Sequence, residues 1–393
     1  MTITIGFETL RGAGTSWRAG SVYFADLLRA LRATYSNRIR LLLVDAHHGT
    51  PTPQELVPLT DGVIAYPHLK RGSVTWALNH AQHRLFQRAL LPDRVLKQQG
   101  LDVLLTGVLE RQTTLPTFAL LADFQHLHLP ELFRASEIAW RNAEYLKTAE
   151  RATRVLLFSK AVRADFEKFA PNVASKARVL APVSYVPDEI YARDPKEILQ
   201  TYALPEKFVY LPNQFWQHKN HLRAFDALRH VRARGENIFV VCTGATEDHR
   251  NPAYFSEILQ MLARWGLREQ VVLLGSVPRD DVFALMRQAA FVWNPSRFEG
   301  FGLSLAEARA IGKRALVSDL PAHREQDAPC VTYFDPNDAQ DLTEKLAGLW
   351  RASTAGPDAA LETAARRAQP ARVRAYAETL MQLLGEVHDP RAG

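Results

Sequence analysis

Short apolar runs alternate with amphipathic stretches along the whole chain. In the first half the runs are TITIGFE, RIRLLLVDA, DGVIAY, LDVLLTG, FALLADF and RVLLFS. In the second they are KFVYLPN, NIFVVCTG, QVVLLGS, AAFVWNPS, RALVSD and CVTYFD. Most are apolar at consecutive positions, as in parallel strands covered on both faces. Between them Gly20–Ala33, Glu137–Ala152, Lys219–Arg234, Pro252–Trp265, Arg279–Ala289 and Leu303–Ile311 repeat at helical spacing, as does Arg372–Val387 near the end. Strands alternating with helices predict an α/β protein with two doubly wound, Rossmann-like domains facing across a cleft. Pro182, Pro187, Pro195 and Pro205 fall in a stretch of weak periodicity and mark the expected seam. The predicted organisation is a first domain over 1–190, a second over 191–370 and a terminal helical segment over 371–393 that crosses back to the first. Ligands of such folds sit at the carboxyl ends of the strands.

Composition adds three constraints. The chain has 393 residues, 47% hydrophobic and 23% charged, enough for two sizeable cores. No run reaches the roughly 18 apolar residues of a membrane-spanning helix. The N-terminus also lacks the basic start and apolar stretch of a signal peptide. The cytoplasm is therefore the expected compartment. Cys242 and Cys330 stand in apolar settings and read as two buried thiols. The net charge of +6 arises entirely in the first half of the chain. An excess of that sign favours an anionic partner: a phosphate, an acidic membrane or a nucleic acid. No nucleic-acid motif accompanies the scattered basic residues. The basic stretch 69–100 repeats Val74, Leu78, Ala81, Leu85 and Ala89 at helical spacing. It fits a helix packed on the sheet, or one resting on an anionic membrane as peripheral contact.

Candidate chemistry gathers at strand ends. Gly12, Gly14 and Gly20 follow the first strand and fit either a phosphate cradle or a plain turn. Their spacing is not that of a nicotinamide-binding fingerprint. Asp123, His126 and His128 follow the FALLADF strand, where a histidine can bond a sugar hydroxyl or a phosphate oxygen. No cluster with metal-ligand spacing accompanies them. After KFVYLPN come Asn213, Gln214, His218, Lys219 and Asn220, and a lysine at a helix start can neutralise a diphosphate. The corners at Gly244 and at Gly275–Val277 suit either backbone contacts with a flat base or simple turns. In PSRFEGFGLSLAEA, Glu299 stands in a loop and Glu307 about a turn into the following helix. Gly300 and Gly302 let successive N–H groups face a ligand oxygen. Carboxylates can hold sugar hydroxyls, while N–H groups and a lysine can hold phosphates as negative charge develops on a leaving group.

These residues resemble the retaining glycosyltransferases of family 4, which have the GT-B fold. The likeness rests on the E-x7-E element Glu299…Glu307, HKNH around Lys219, the TG and LGSV corners, and SDLPAHRE over Ser318–Glu325. DFQHLHLPELF looks like a bacterial subgroup acting in polysaccharide or lipid-linked glycan synthesis. The resemblance implies transfer of a hexose from a nucleotide-diphosphate sugar, GDP- or UDP-linked with GDP-mannose favoured, to a glycan or lipid-linked acceptor. Glu299 would contact the donor sugar, with Asp123 and His126 also in the catalytic region. Glu307 would take the ribose and Lys219 the diphosphate. The amides of Phe301, Gly302 and Leu303 would meet sugar or phosphate, with Asn213, Gln214, Gly244, Val277 and Gly14 completing the donor site. No metal or other cofactor is implied. Two positions depart from the family: Gln214 stands where an arginine is common, and Ala122 where a histidine precedes the aspartate. They leave two rivals open, a nucleotide-sugar binding protein without turnover and a GT-B nucleotide-sugar epimerase.

Overall fold

The computed structural model describes residues 2–8, 18–36, 38–45, 54–65, 90–109 and 113–388. By contact the chain divides into two compact units. One takes the chain up to Phe124, Ala135–Val183 and the chain from Ala371. The other takes Gln125–Arg134 and Ser184–Pro370. The division after Val183 falls inside the proline-bearing stretch 182–205. That stretch is not a bare linker, because Asp188–Ala192 and Glu197–Thr201 are helical and Ile190 and Ile198 are buried in the second unit's core. Helices this short carry too few turns for their period to be read in sequence.

The first unit contains β1 (Ile3–Glu8), β2 (Ile39–Asp45), β3 (Gly62–Ala65), β4 (Val103–Thr106), β5 (Thr117–Leu121), β6 (Arg154–Leu157) and β7 (Ala177–Val179). All pair in parallel, in the order β3-β2-β1-β4-β5-β6-β7. Six of these strands match the apolar runs; β7, with Arg178 at its centre, does not form one. The first helix, Arg18–Tyr35, is already formed before Gly20, where the glycine pattern placed its start. The stripe 74–89 and Gly14 lie outside the described residues, and of the basic stretch only the helix Leu90–Gln98 is described. The final helix, Ala359–His388, is longer than its predicted segment and runs through Pro370. Just before that proline, the Gln369 amide donates to Val186 O (2.8 Å) and accepts from Val186 N (3.0 Å). Past it, Glu386 accepts from Arg178 at 2.8 Å and Tyr376 meets Tyr23 at 3.2 Å, so the helix end packs in the first unit.

The second unit contains β8 (Val209–Leu211), β9 (Val240–Cys242), β10 (Val271–Leu273), β11 (Phe291–Asn294), β12 (Ala315–Ser318) and β13 (Val331–Phe334). They form a parallel sheet in the order β10-β9-β8-β11-β12-β13. Alternate residues enter opposite cores. Val209, Leu211, Phe291 and Trp293 pack on one face, and Phe208, Tyr210 and Val292 on the other. Because the inner strands bury both faces, their sequence runs are continuous rather than alternating. The order reverses between β8 and β11, which pair through Phe291↔Val209 and Val292↔Tyr210. Loops leaving their carboxyl ends are forced together there, the usual place for a ligand crevice in an open α/β sheet.

Cys242 is buried, but Cys330 is exposed, correcting the expectation of two buried thiols. It stands just before β13 in a left-handed turn, with φ +58°, which turns its side chain out of the apolar run.

Gly312 ends the helix Leu303–Ile311 at φ +73°, and a Cβ there would lie 2.4 Å from Leu361 O. Gly312→Ala is expected to destabilise the second unit by about 1–3 kcal/mol in chemical denaturation. Gly348→Ala, inside the helix Ala339–Ala352 with open space at its Cβ, should instead be neutral or stabilising by up to about 1 kcal/mol. Equal losses at both positions would refute the steric account.

Candidate functional site

The loops of β8 and β11 meet at Lys219 and Glu299. Lys219 closes a 3-10 turn, Gln217–Lys219, and the left-handed Asn220 (φ +63°) then caps the helix His221–Ala233. Asn220 Nδ2 ties this corner to Pro295 O at 3.1 Å. Lys219 Nζ donates to Glu299 Oε1 at 2.7 Å. The same oxygen accepts from Ser296 Oγ (2.7 Å) and Asn294 Nδ2 (3.2 Å), both supplied by the end of β11 and the loop that follows it. The Glu299 side chain is only 9% exposed. Burial pushes its carboxyl up, but the Lys219 charge and the hydrogen bonds outweigh that and hold it below the usual glutamate range.

Between Glu299 and Glu307 the backbone is pressed against the segment after β12. Gly302 has φ +91°, and a Cβ would lie 2.6 Å from the His323 ring. His323 Nδ1 meets Ser318 O at 2.8 Å, and a carbonyl can only accept, so Nδ1 carries the proton. Phe301 is buried, and Leu303 opens the helix Leu303–Ile311. Glu307 is buried in that helix and accepts from Arg279, whose guanidinium lies over Phe283 at 4.4 Å.

The remaining predicted donor residues line the neighbouring strand ends. Asn213 is buried after β8, and its carbonyl lies 2.5 Å from where a Cβ of Gly244 would stand. Gly244 (φ +141°) donates its N–H to Gly275 O at 2.8 Å, so the two corners are joined through backbone. Gln214 is half-buried beside them. The Val277 side chain lies in the core.

His126 is buried in the short helix Gln125–His128, edge-on to Phe133, within the second unit. Asp123 belongs to the first unit, near Arg141 and Tyr145. Arg250 attaches the segment Gln125–Arg134 to the second unit. It donates to Gln125 Oε1 (2.6 Å), Asp248 Oδ1 (3.2 Å) and His218 Nδ1 (3.3 Å), and it lies 4.9 Å from the centre of the Phe133 ring. Arg297 adds an ion pair to Glu131 at 2.7 Å, and His128 stacks near Phe298 at 4.9 Å. A cavity of about 490 Å³ opens beside Arg297, with Asp319, Asp335 and Asn337 at the ends of β12 and β13. Among the described residues no cluster of three metal-ligating side chains occurs, and no helix is long and apolar enough to cross a membrane.

Arg250, Arg279, Ser296, Asn294, His323 and Gln326 were not picked out from sequence. The usable signal was chemical: two buried carboxylates need donors, and Asn294 and Ser296 are small polar groups immediately beyond a core strand.

Three of this unit's buried histidines, His218, His221 and His323, are expected to make it acid-sensitive. Burial, with the nearby charges of Lys219 and Arg250, holds His218 well below the ordinary 6.5. Burial lowers His221, stacked on Phe215 at 4.4 Å, to about 3, and it lowers His323 as well. With folded values below unfolded ones, the unfolded chain takes up protons first as pH falls. Stability is therefore full above about pH 7 and declines below it, by up to about 1.4 kcal/mol per pH unit per histidine. Calorimetry should show a falling melting temperature from pH 7 to 5, with a shallower slope in His221→Phe. A flat profile would contradict this assignment of neutral rings.

Residues 196–367 match the family model described as glycosyl transferases group 1. The chain is 30% identical over 134 residues to the O-antigen chain mannosyltransferase RfbU of Salmonella typhimurium, covering 34% of this chain and 36% of that protein. It is 38% identical over 66 residues to a GDP-mannose:cellobiosyl-diphosphopolyprenol alpha-mannosyltransferase of Xanthomonas oryzae, covering 17% of each. The chain thus spans about a third or less of the length of these relatives. Among solved structures it is similar to Anabaena HepE in complex with UDP and glucose, with TM-score 0.68 and 18% identity over 98% of this chain and 100% of that one. The two parallel-sheet units are those of the GT-B fold of glycosyltransferases, and the part matched by glycosyl transferases group 1 is the part that carries Lys219, Glu299 and Glu307.

Proposed function

We propose that the protein is a retaining glycosyltransferase. It moves a hexose, with mannose favoured, from a GDP- or UDP-linked sugar to a glycan or lipid-linked acceptor. The observation that carries this reading is the Lys219–Glu299 contact at 2.7 Å, where the sheet order reverses and the glycine loop begins. The mannosyltransferase relatives and the UDP-bound neighbour support the choice of donor class.

Sugar transfer builds positive charge at the anomeric carbon and negative charge on the departing diphosphate. Glu299 is ionised and fixed by its donors, so it can accept a sugar hydroxyl without reorganising. Lys219 and the amides of Gly302 and Leu303 face the phosphates and stabilise the leaving group. Glu307, which accepts from Arg279, takes the ribose hydroxyls. Backbone at Gly244 and Val277 meets the base, with Asn213 and Gln214 beside the phosphates and Gly14 in the first unit. Asp123 and His126 serve the sugar and the acceptor. In this scheme lysine and amide groups counter the diphosphate, and the reaction uses no metal. The basic first half brings the protein to the anionic inner face of a membrane, where a lipid-linked acceptor is presented.

Glu299→Ala would strand the Lys219 ammonium, so Glu299→Gln is the cleaner companion variant. Both are expected to lower transfer by at least about 10³-fold while the folded state persists; full activity in either would overturn the role. In a thermal-shift panel of GDP, UDP, ADP and dTDP, GDP is expected to raise the melting temperature most. The product anomer, read by NMR, should keep the donor's configuration, and a chelator should leave the rate unchanged.

A further inference from the structure

The loop that supplies Gly302 and Leu303 is held from behind by a side chain that none of the roles above uses. Gln326, 5% exposed, donates from Nε2 to Phe301 O at 2.6 Å and to Gly302 O at 3.1 Å. Two carbonyls on one side leave only the NH₂ face of the amide as a partner, which fixes its orientation. Gln326 is itself held at both backbone groups. Its N–H donates to His323 O (3.2 Å), and its carbonyl accepts from Arg309 Nη1 at 2.6 Å. Arg309 lies in the last turn of the helix Leu303–Ile311, so Gln326 is bonded to the residues that open that helix and to one near its end.

We infer that Gln326 is a positioning residue for the donor site. A trans peptide points its C=O and N–H in opposite directions. Drawing the Phe301 carbonyl toward Gln326 therefore turns the Gly302 N–H the other way, while the Gly302 carbonyl, which also accepts from Leu305 N (3.1 Å) and Ala306 N (3.2 Å), is shared between Gln326 and the first turn of the helix. Glycine at 302 gives this backbone more than one accessible conformation, and a flipped 301–302 peptide would present a carbonyl where the donor needs an N–H. His323 blocks one alternative by filling the space behind Gly302, and Gln326 excludes the other by its two hydrogen bonds. The role deepens the reading of the site as a sugar-nucleotide site and rests on it.

The test compares wild type with Gln326→Leu, which keeps the volume and removes the donor, and Gln326→Glu, which sets a carboxylate against two carbonyls. Using GDP-mannose or whichever donor the wild type turns over, kcat is expected to fall about 10²-fold in Gln326→Leu and further in Gln326→Glu. The Kd for the free nucleoside, which lacks the phosphates, should stay within about threefold, because base and ribose contacts lie elsewhere, whereas that for the nucleoside diphosphate should weaken. Amide hydrogen exchange over 301–305 should quicken in both variants. A folded Gln326→Leu enzyme with kcat within threefold of wild type, or with unchanged exchange over 301–305, overturns the proposal. Parallel falls in melting temperature, nucleoside affinity and kcat would mark a merely structural role and also overturn it. A wild type that transfers from no sugar nucleotide would instead sink the reading of the site itself.

Discussion

A carboxylate removed from water has to find donors inside the protein, and Glu299 sets that requirement at the centre of the second unit. Its Oε1 takes three, two from the end of β11 and its loop and one from Lys219, 80 residues earlier in the chain. That third donor is within reach because β8 and β11 are neighbours in a parallel sheet. The six-stranded order, the αL corner at Asn220 and the glycine loop all converge on this one contact.

Close backbone approach is the second constraint. Gly244 lies against the Asn213 carbonyl and Gly302 against the His323 ring, both in conformations that β-carbons disfavour. At these two points loops from β8 and β9, and from β11 and β12, hold each other in place. Such a site is preorganised at a cost in acid tolerance: the burial that Lys219 and the hydrogen bonds overcome at Glu299 keeps His218, His221 and His323 unprotonated.

Much of this was legible in the residues. The apolar runs marked all the described strands except β7, because consecutive apolar positions are what a doubly covered parallel strand requires. The helix Leu303–Ile311 was bounded correctly, because glycines at 302 and 312 punctuate it. The partners of the carboxylates were not legible. Arg279 reaches Glu307 across 28 residues and Arg250 reaches Gln125 across 125, and neither spacing carries a periodic signal. The assignment of Gln125–Arg134 to the second unit escaped for the same reason: local pattern makes it an ordinary loop after β5, and only tertiary contacts decide which core it joins. The outward turn of Cys330 depends on a single φ angle that composition does not encode.

Glu299 with Lys219 and Glu307 with Arg279 form two pairs whose formal charges cancel. A doubly charged diphosphate approaching these four groups meets no net charge from them, so they offer little electrostatic steering at long range. Capture then depends on dipoles felt only on contact. The encounter rate for the donor should lie near the unsteered range of about 10⁵–10⁶ M⁻¹s⁻¹ and change little with ionic strength. A stopped-flow salt series reads that dependence directly, and a steep slope would mean that other basic groups guide the donor in.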